Sequence, residues 1–231
     1  MNRLCDWGPH TLKWRDLKTG DIRTSRSLSL NHKANVVCHD CNHGWMSRLE
    51  DEIAKPVLAP MILVGSARTL SVEDVGAVAA FAFEASVVAD RINPLRLFPF
   101  FSPQQTQAFA ATLTIPPWIQ MWIARFESAV SPSALMFTDY RKGRMGAARG
   151  YEIFILTYAI GHLAFQVAAQ KRTKVALGPS NRPFVKQHPV WGRFASEFWP
   201  IHSSSLEWPP PQFLDDHSIE QFCYRWRNLV S

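Results

Sequence analysis

Two cysteines three positions apart, Cys38 and Cys41, constrain this chain more than any other feature. One tight turn that directs two sulfurs at the same point is the geometry of a zinc knuckle. Directly after it, from Gly44, apolar residues recur at the four-residue spacing of a helix: Trp45, Leu49 and Ile53. A structural zinc ion takes four ligands, so the pair predicts half of such a site.

The composition is that of a folded, reduced protein. With 231 residues and 47% hydrophobic residues, the chain can bury a core as one medium domain, or as a small module joined to a larger one. Four cysteines are too few for a secreted disulfide framework, and the start lacks an apolar leader, so we expect a cytoplasmic protein. The apolar run from Val75 to Ala89 contains Glu84 and is too short to span a bilayer, which predicts a buried helix and no membrane partner.

Turn and capping signals divide the chain. Lys18 to Asp21 predicts a hairpin turn between two short strands, and Lys55-Pro56 predicts either the end of the helix that follows the knuckle or a kink in it. Later helices are predicted to start at Ser71, at Ser102-Pro103 and at Asp215 or Asp216, and the one from Ser71 to stop at Asn93-Pro94. Strand-forming stretches between them predict an antiparallel sheet: Trp118 to Phe126, Ala134 to Tyr140, Glu152 to Tyr158 and Gly161 to Ala168.

The stretch from Cys38 to Glu50, CHDCNHGWMSRLE, resembles the signature C-x-x-C-N-x-G-W-M-S-x-L-E of a bacterial and phage family described as HNH endonuclease-like. Weaker likeness extends over most of residues 36–212. In that family, which has the ββα-metal (His-Me) finger, an earlier C-x-x-C and a Glu-His pair precede the knuckle. The resemblance therefore implies an α+β protein with an incomplete, N-terminally truncated finger in residues 1–55 and a helical and antiparallel-sheet domain in residues 56–231.

The resemblance also implies a chemistry, namely metal-dependent hydrolysis of DNA phosphodiesters. In the family four cysteines bind a structural zinc, a divalent ion such as Mg²⁺ or Mn²⁺ stabilises the phosphate, and the histidine deprotonates water. Asn42 would lie at the start of the finger helix and face the catalytic metal; otherwise it is a polar helix cap. His10 is the candidate base, or an ordinary turn histidine, because Pro9 stands where the family has its acid.

Further residues extend or limit the metal site. His39 or His43 could replace a missing thiolate, or both could simply be exposed, and Cys5 is a candidate third ligand. The predicted metal set is thus Cys38, Cys41, Asn42 and His43. Three other residues receive structural roles: His32 faces solvent, His162 is a core histidine on a strand, and Cys223 is part of an apolar helix face. Because the first cysteine pair and the Glu-His pair are absent, the resemblance implies impaired catalysis.

The charge distribution predicts a nucleic-acid partner or a solvated basic surface. The formal net charge is +6, and no acidic residue lies between Glu152 and Glu197. Cationic residues cluster there and in a patch just before it: Arg141, Lys142, Arg144, Arg149, Lys171, Arg172, Lys174, Arg182, Lys186 and Arg193. Such clusters neutralise phosphates, which dominate affinity for nucleic acids. The alternative to a nuclease is therefore a non-catalytic nucleic-acid-binding or protein-interaction module; nothing in the sequence indicates an oligomeric state.

Overall fold

The computed structural model describes residues 10–15, 22–27, 37–92, 99–129, 134–145, 149–172 and 189–225. At its N-terminal end, strands β1 (His10–Arg15) and β2 (Ile22–Ser27) pair antiparallel, with His10 opposite Ser27. The predicted hairpin is therefore confirmed, although its turn lies outside the described residues. His10 lies on a strand, so its interpretation as a turn histidine is wrong.

A helical segment, which we call the finger helix (residues 39–63), follows the hairpin. It consists of α1 (His39–Cys41), π-helical turns at Asn42–Met46 and Leu49–Ala54, and α2 (Lys55–Leu63). The predicted end at Lys55-Pro56 is wrong, because Pro56 lies in the first turn of α2 and the helix continues to Leu63. Burial of Val57 and Leu58 in the core favours this continuation over the conformational preference of a residue before proline.

The π-helical turns change which residues of the finger helix face the core. A π-helix bonds residues five apart instead of four. Leu49 and Ala54, five positions apart, are both buried, whereas Ile53, predicted on the apolar face, is 41% exposed. The four-residue apolar spacing therefore holds only from Trp45 to Leu49.

Strand β3 (Arg68–Ser71) leads into the long helix α3 (Val72–Ile92). Its start is the predicted capping box, since the Asp74 N–H donates to the Ser71 hydroxyl at 3.2 Å and the Ser71 N–H donates to the Asp74 carboxylate at 3.1 Å. Most of its side chains are buried, as the apolar sequence predicted. No helix in the described residues is both long enough and apolar enough to cross a membrane.

Two shorter helices also begin where their caps predicted. Helix α4 (Pro103–Thr112) starts with a capping box between Ser102 and Gln105. Helix α5 (Asp216–Tyr224) has Asp215 as its N-cap, whose carboxylate accepts from the backbone N–H groups of His217 and Ser218. Both starts are fixed by side chains within four residues, which is why the sequence predicts them.

The main sheet has the strand order β10-β4-β7-β6-β5, with β8 also paired to β4. Its four long strands are β4 (Ile119–Phe126), β5 (Ala134–Met145), β6 (Arg149–Ile160) and β7 (Leu163–Arg172), and their pairing is antiparallel, as predicted. Three short strands complete the fold after a 3₁₀ turn at Pro189–Arg193: β8 (Ala195–Trp199), β9 (Ser205–Trp208) and β10 (Phe213–Leu214). Strand β9 pairs with β3, and β10 runs parallel to β4.

The sheet separates two apolar layers, and its strands alternate between them. Phe154 and Leu156 belong to the layer that contains α3 and the finger helix. Ile153 and Ile155, one position away, belong to the layer that contains Phe222 of α5. This period of two is what a strand buried on both faces requires. The protein is therefore of the α+β class, as predicted.

The end of the finger helix meets the turn between β6 and β7. The His162 N–H donates to the Ile62 carbonyl at 3.0 Å, and Gly65, with φ of +61°, packs directly against the His162 side chain. His162 thus lies in a turn, so its predicted position on a strand is wrong. Its Nδ1 is buried and has no hydrogen-bond partner, so it is not a satisfied core histidine.

We expect Gly65→Ala to lower the free energy of unfolding by about 1–3 kcal/mol, because a left-handed backbone disfavours a side chain. The added Cβ would also lie 3.0 Å from the His162 Cβ. Gly76→Ala is the matched control, since no atom lies within 4 Å of its added Cβ and it sits inside α3. This control should gain about 0.5–1 kcal/mol of helix propensity. Urea denaturation measures the free energy of unfolding of both variants. Equal values for the two variants would contradict the close packing of Gly65 against His162.

Candidate functional site

The knuckle forms the N-terminal cap of the finger helix. Cys38 has extended backbone angles, and its sulfur accepts a hydrogen bond from the Cys41 N–H at 3.2 Å. The Asn42 N–H then donates to the Cys38 carbonyl at 3.0 Å. The sulfur of Cys38 therefore satisfies one of the backbone donors that a helix start leaves free. Both cysteines are free thiols; Cys38 is exposed and Cys41 is half-buried.

The two thiols differ in acidity because they share a hydrogen bond. Hydrogen bonds from the Cys41 side chain and backbone lower the pKa of the Cys38 thiol. The same side-chain hydrogen bond, followed by burial, raises the pKa of Cys41. Cys38 is thus the one that more readily becomes the thiolate, the form that binds metals.

Asn42 is exposed and lies within the helix. Its backbone angles, φ of −66° and ψ of −43°, are helical, and the capping position is occupied by Cys38. The interpretation of Asn42 as a helix cap is therefore wrong, which leaves its side chain at the first turn without that structural role. It is the first residue of the π-helical turn that contains the kink at Gly44 and ends at the buried Met46.

His39 and His43 lie beside the knuckle with their rings in contact. Their centroids are 4.3 Å apart at an angle of 40°, and both side chains are exposed. The His39 Nδ1 is 3.4 Å from the Asp40 carboxylate. The two imidazoles therefore flank the cysteines on the solvent side.

The donors near the knuckle are too few for a metal ion in the described residues. No group of three His, Cys, Asp or Glu side chains comes together anywhere in the part of the chain that the structure describes. Cys38 and Cys41 supply two of the four ligands of a structural zinc. Asn42 and His43 likewise have no third metal-binding side chain beside them among the described residues. Cys5 and His32 lie outside the described residues. The described donors thus do not fit a complete zinc or magnesium site.

Three apolar side chains, one half-buried and two buried, hold the finger helix on the core. Trp45 packs edge-on against Phe109 with centroids 5.5 Å apart, and Met46 and Leu49 are buried. Cys223 is also core, since it is 3% exposed and burial raises its pKa to about 12. It therefore cannot serve as a metal ligand on the surface.

A buried acid, Glu84, lies next to the finger helix. The sequence predicted no functional role for it. It is 2% exposed on α3, and neither carboxylate oxygen has a hydrogen-bond partner. Burial and then the charge of Glu50 on the finger helix raise its pKa well above the ordinary value. The sequence signal was an acid inside the apolar run from Val75 to Ala89. The raised pKa means that Glu84 holds its proton to higher pH in the folded protein than in the unfolded chain.

No protein-family model, curated protein or solved structure matches the chain.

We expect the free energy of unfolding to fall as pH rises above about 4.5, because the unfolded state releases the Glu84 proton before the folded state does. The slope from this group is about 1.4 kcal/mol per pH unit. Glu84→Met should remove that slope and raise stability near pH 7, as measured by urea denaturation across pH.

Asp90→Leu is the contrasting control on the same helix. Asp90 is equally buried, but it accepts a hydrogen bond from the Phe101 N–H at 2.9 Å. Its removal should lower stability by about 1–3 kcal/mol, because a buried donor loses its partner. If the free energy of unfolding of Glu84→Met depends on pH as steeply as that of the unmodified protein, the pH dependence does not come from Glu84.

Proposed function

We propose that this chain is an HNH endonuclease-like protein whose partner is DNA. The observation that carries the proposal is the arrangement of the N-terminal region. An antiparallel hairpin precedes a Cys-x-x-Cys knuckle and a helix, the order of a ββα-metal finger. The paired strands contain four cationic residues and no acid: Lys13, Arg15, Arg23 and Arg26. A hairpin of this charge favours a phosphodiester backbone.

Binding is the function that the described residues support best. Binding needs cationic residues, and the hairpin strands contain four of them. Hydrolysis additionally needs a base and enough donors to hold a divalent ion. His10 lies on β1 and Asn42 is exposed at the start of the finger helix, but the described residues do not complete a metal site.

Metal-dependent hydrolysis is the second candidate, and it is favoured by the position of Asn42. The residue has no capping role, which leaves its amide available at the first turn, where the family resemblance assigns it to the catalytic metal. Zinc would serve as the structural ion and Mg²⁺ or Mn²⁺ as the catalytic one. Both would need donors beyond the described residues.

The two candidates predict different outcomes with supercoiled plasmid DNA. If the protein hydrolyses DNA, nicking should appear with Mg²⁺ or Mn²⁺, disappear with chelator and disappear in Asn42→Ala. The control Gln104→Ala removes an exposed amide on α4 and should nick normally. Salt-sensitive retardation of the plasmid without nicking would support binding alone. If the protein neither nicks nor retards the plasmid, both candidates are contradicted. The remaining alternative is then a protein-interaction module.

Metal analysis of the purified protein tests the knuckle. A working zinc site predicts one zinc per chain, with the content falling in Cys38→Ser and unchanged in Cys223→Ser, because Cys223 is buried in the core. Much less than one zinc per chain in the unmodified protein would mean that Cys38 and Cys41 do not form a structural site.

A further inference from the structure

Cationic residues gather at one end of the main sheet. The strand register places Lys142 of β5 opposite Glu152 of β6, and Glu152 opposite Lys171 of β7. Arg172 lies opposite Tyr151 in the same register. Beyond this row, Arg144 lies opposite Gly150, and Arg149, the first residue of β6, lies opposite Met145, the last residue of β5. We call this region, residues 141–145, 149–152 and 171–172, the sheet end.

The charge of the sheet end is large for its size. It contains six cationic residues and one acid, Glu152, which gives a formal charge of +5. The whole chain has a formal charge of +6. The remaining charges of the molecule therefore nearly cancel. The rest of β5, β6 and β7 contains Asp139 and no lysine or arginine, so the positive charge is confined to one end of the strands.

Lys171 has a structural role that separates it from the others. Its ammonium donates to the Phe100 carbonyl and lies 4.4 Å from the centroid of the Phe100 ring. It is also 5.5 Å from the centroid of Trp118. These contacts anchor the end of β7 on the aromatic core. Substitutions that probe the charge of the sheet end are therefore made at Arg144 and Arg149, next to the connection between β5 and β6, and not at Lys171.

We propose that the sheet end and the β1–β2 hairpin together bind the backbone of double-stranded DNA. Strand β1 of the hairpin contacts β5, the strand that contains Arg141, Lys142 and Arg144. This inference rests on the proposed function and adds a second contact surface outside the finger.

The dimensions of the sheet end fit a duplex. Three neighbouring strands about 4.8 Å apart span roughly 10 Å. Over that length a duplex carries about six phosphate charges. A single strand presents about half that charge density, so the duplex gains more from this surface.

Binding of a short labelled duplex by the full-length protein, followed by fluorescence anisotropy at several salt concentrations, tests the proposal. The double variant Arg144→Ser/Arg149→Ser should bind roughly tenfold to thirtyfold more weakly near physiological salt, and the slope of log affinity against log salt should fall by about 2. Circular dichroism should show an unchanged fold.

The control Lys55→Ser/Arg125→Ser removes the same net charge elsewhere. Lys55 pairs with Asp51 on the finger helix at 3.7 Å, and Arg125 pairs with Glu127 at the end of β4 that lies away from the sheet end. Affinity and slope should stay close to those of the unmodified protein. Equal losses in both variants, or no loss in either, would overturn the sheet-end proposal.

The same measurement separates this proposal from the proposed function. If the unmodified protein binds the duplex and Arg144→Ser/Arg149→Ser binds equally well, the sheet end is wrong and the proposed function stands. If the unmodified protein does not bind the duplex, the proposed function itself fails. Tighter binding of single-stranded DNA or of RNA of the same sequence would overturn the assignment of duplex DNA.

Discussion

Helix α3 carries buried side chains around most of its circumference, and the other elements pack on it. It contacts the finger helix, β7, β8 and β9. Phe81 meets Phe165 of β7 with centroids 6.0 Å apart, and Phe83 meets Phe109 of α4 at 4.7 Å. Burying one such ring contributes about 1.5–3 kcal/mol. Because Trp45 packs on the same Phe109, the orientation of the finger helix depends on this aromatic cluster.

The sequence predicted those parts of the fold that depend on near neighbours in the chain. Ser71, Ser102 and Asp215 cap helices through side chains three residues or fewer away from their partners. Strands β5, β6 and β7 are consecutive and joined by short connections, so apolar stretches and turn residues were enough to predict their pairing. The knuckle was predicted for the same reason, since its two cysteines lie within one turn.

The missed features depend on packing between distant segments. The finger helix continues through Pro56 because the residues beyond it are buried on α3, and no local signal records that burial. By sequence Glu84 is one polar residue in an apolar helix; its raised pKa depends first on burial against other elements and then on Glu50, which lies 34 positions earlier in the chain. The pairing of β3 with β9 likewise joins segments far apart in sequence.

The charges of the finger helix bear on how DNA would approach. Its acids are Asp40, Glu50, Asp51 and Glu52, against two cations, Arg48 and Lys55. The described hairpin strands contain cations only. At physiological ionic strength charges are screened beyond about 8 Å, so each surface acts mainly on what lies next to it. A phosphate backbone beside the outer face of the finger helix would be repelled, whereas one beside the hairpin would be attracted. If the protein binds DNA as proposed, the DNA should lie over the hairpin, with the acidic face of the finger helix turned away from it.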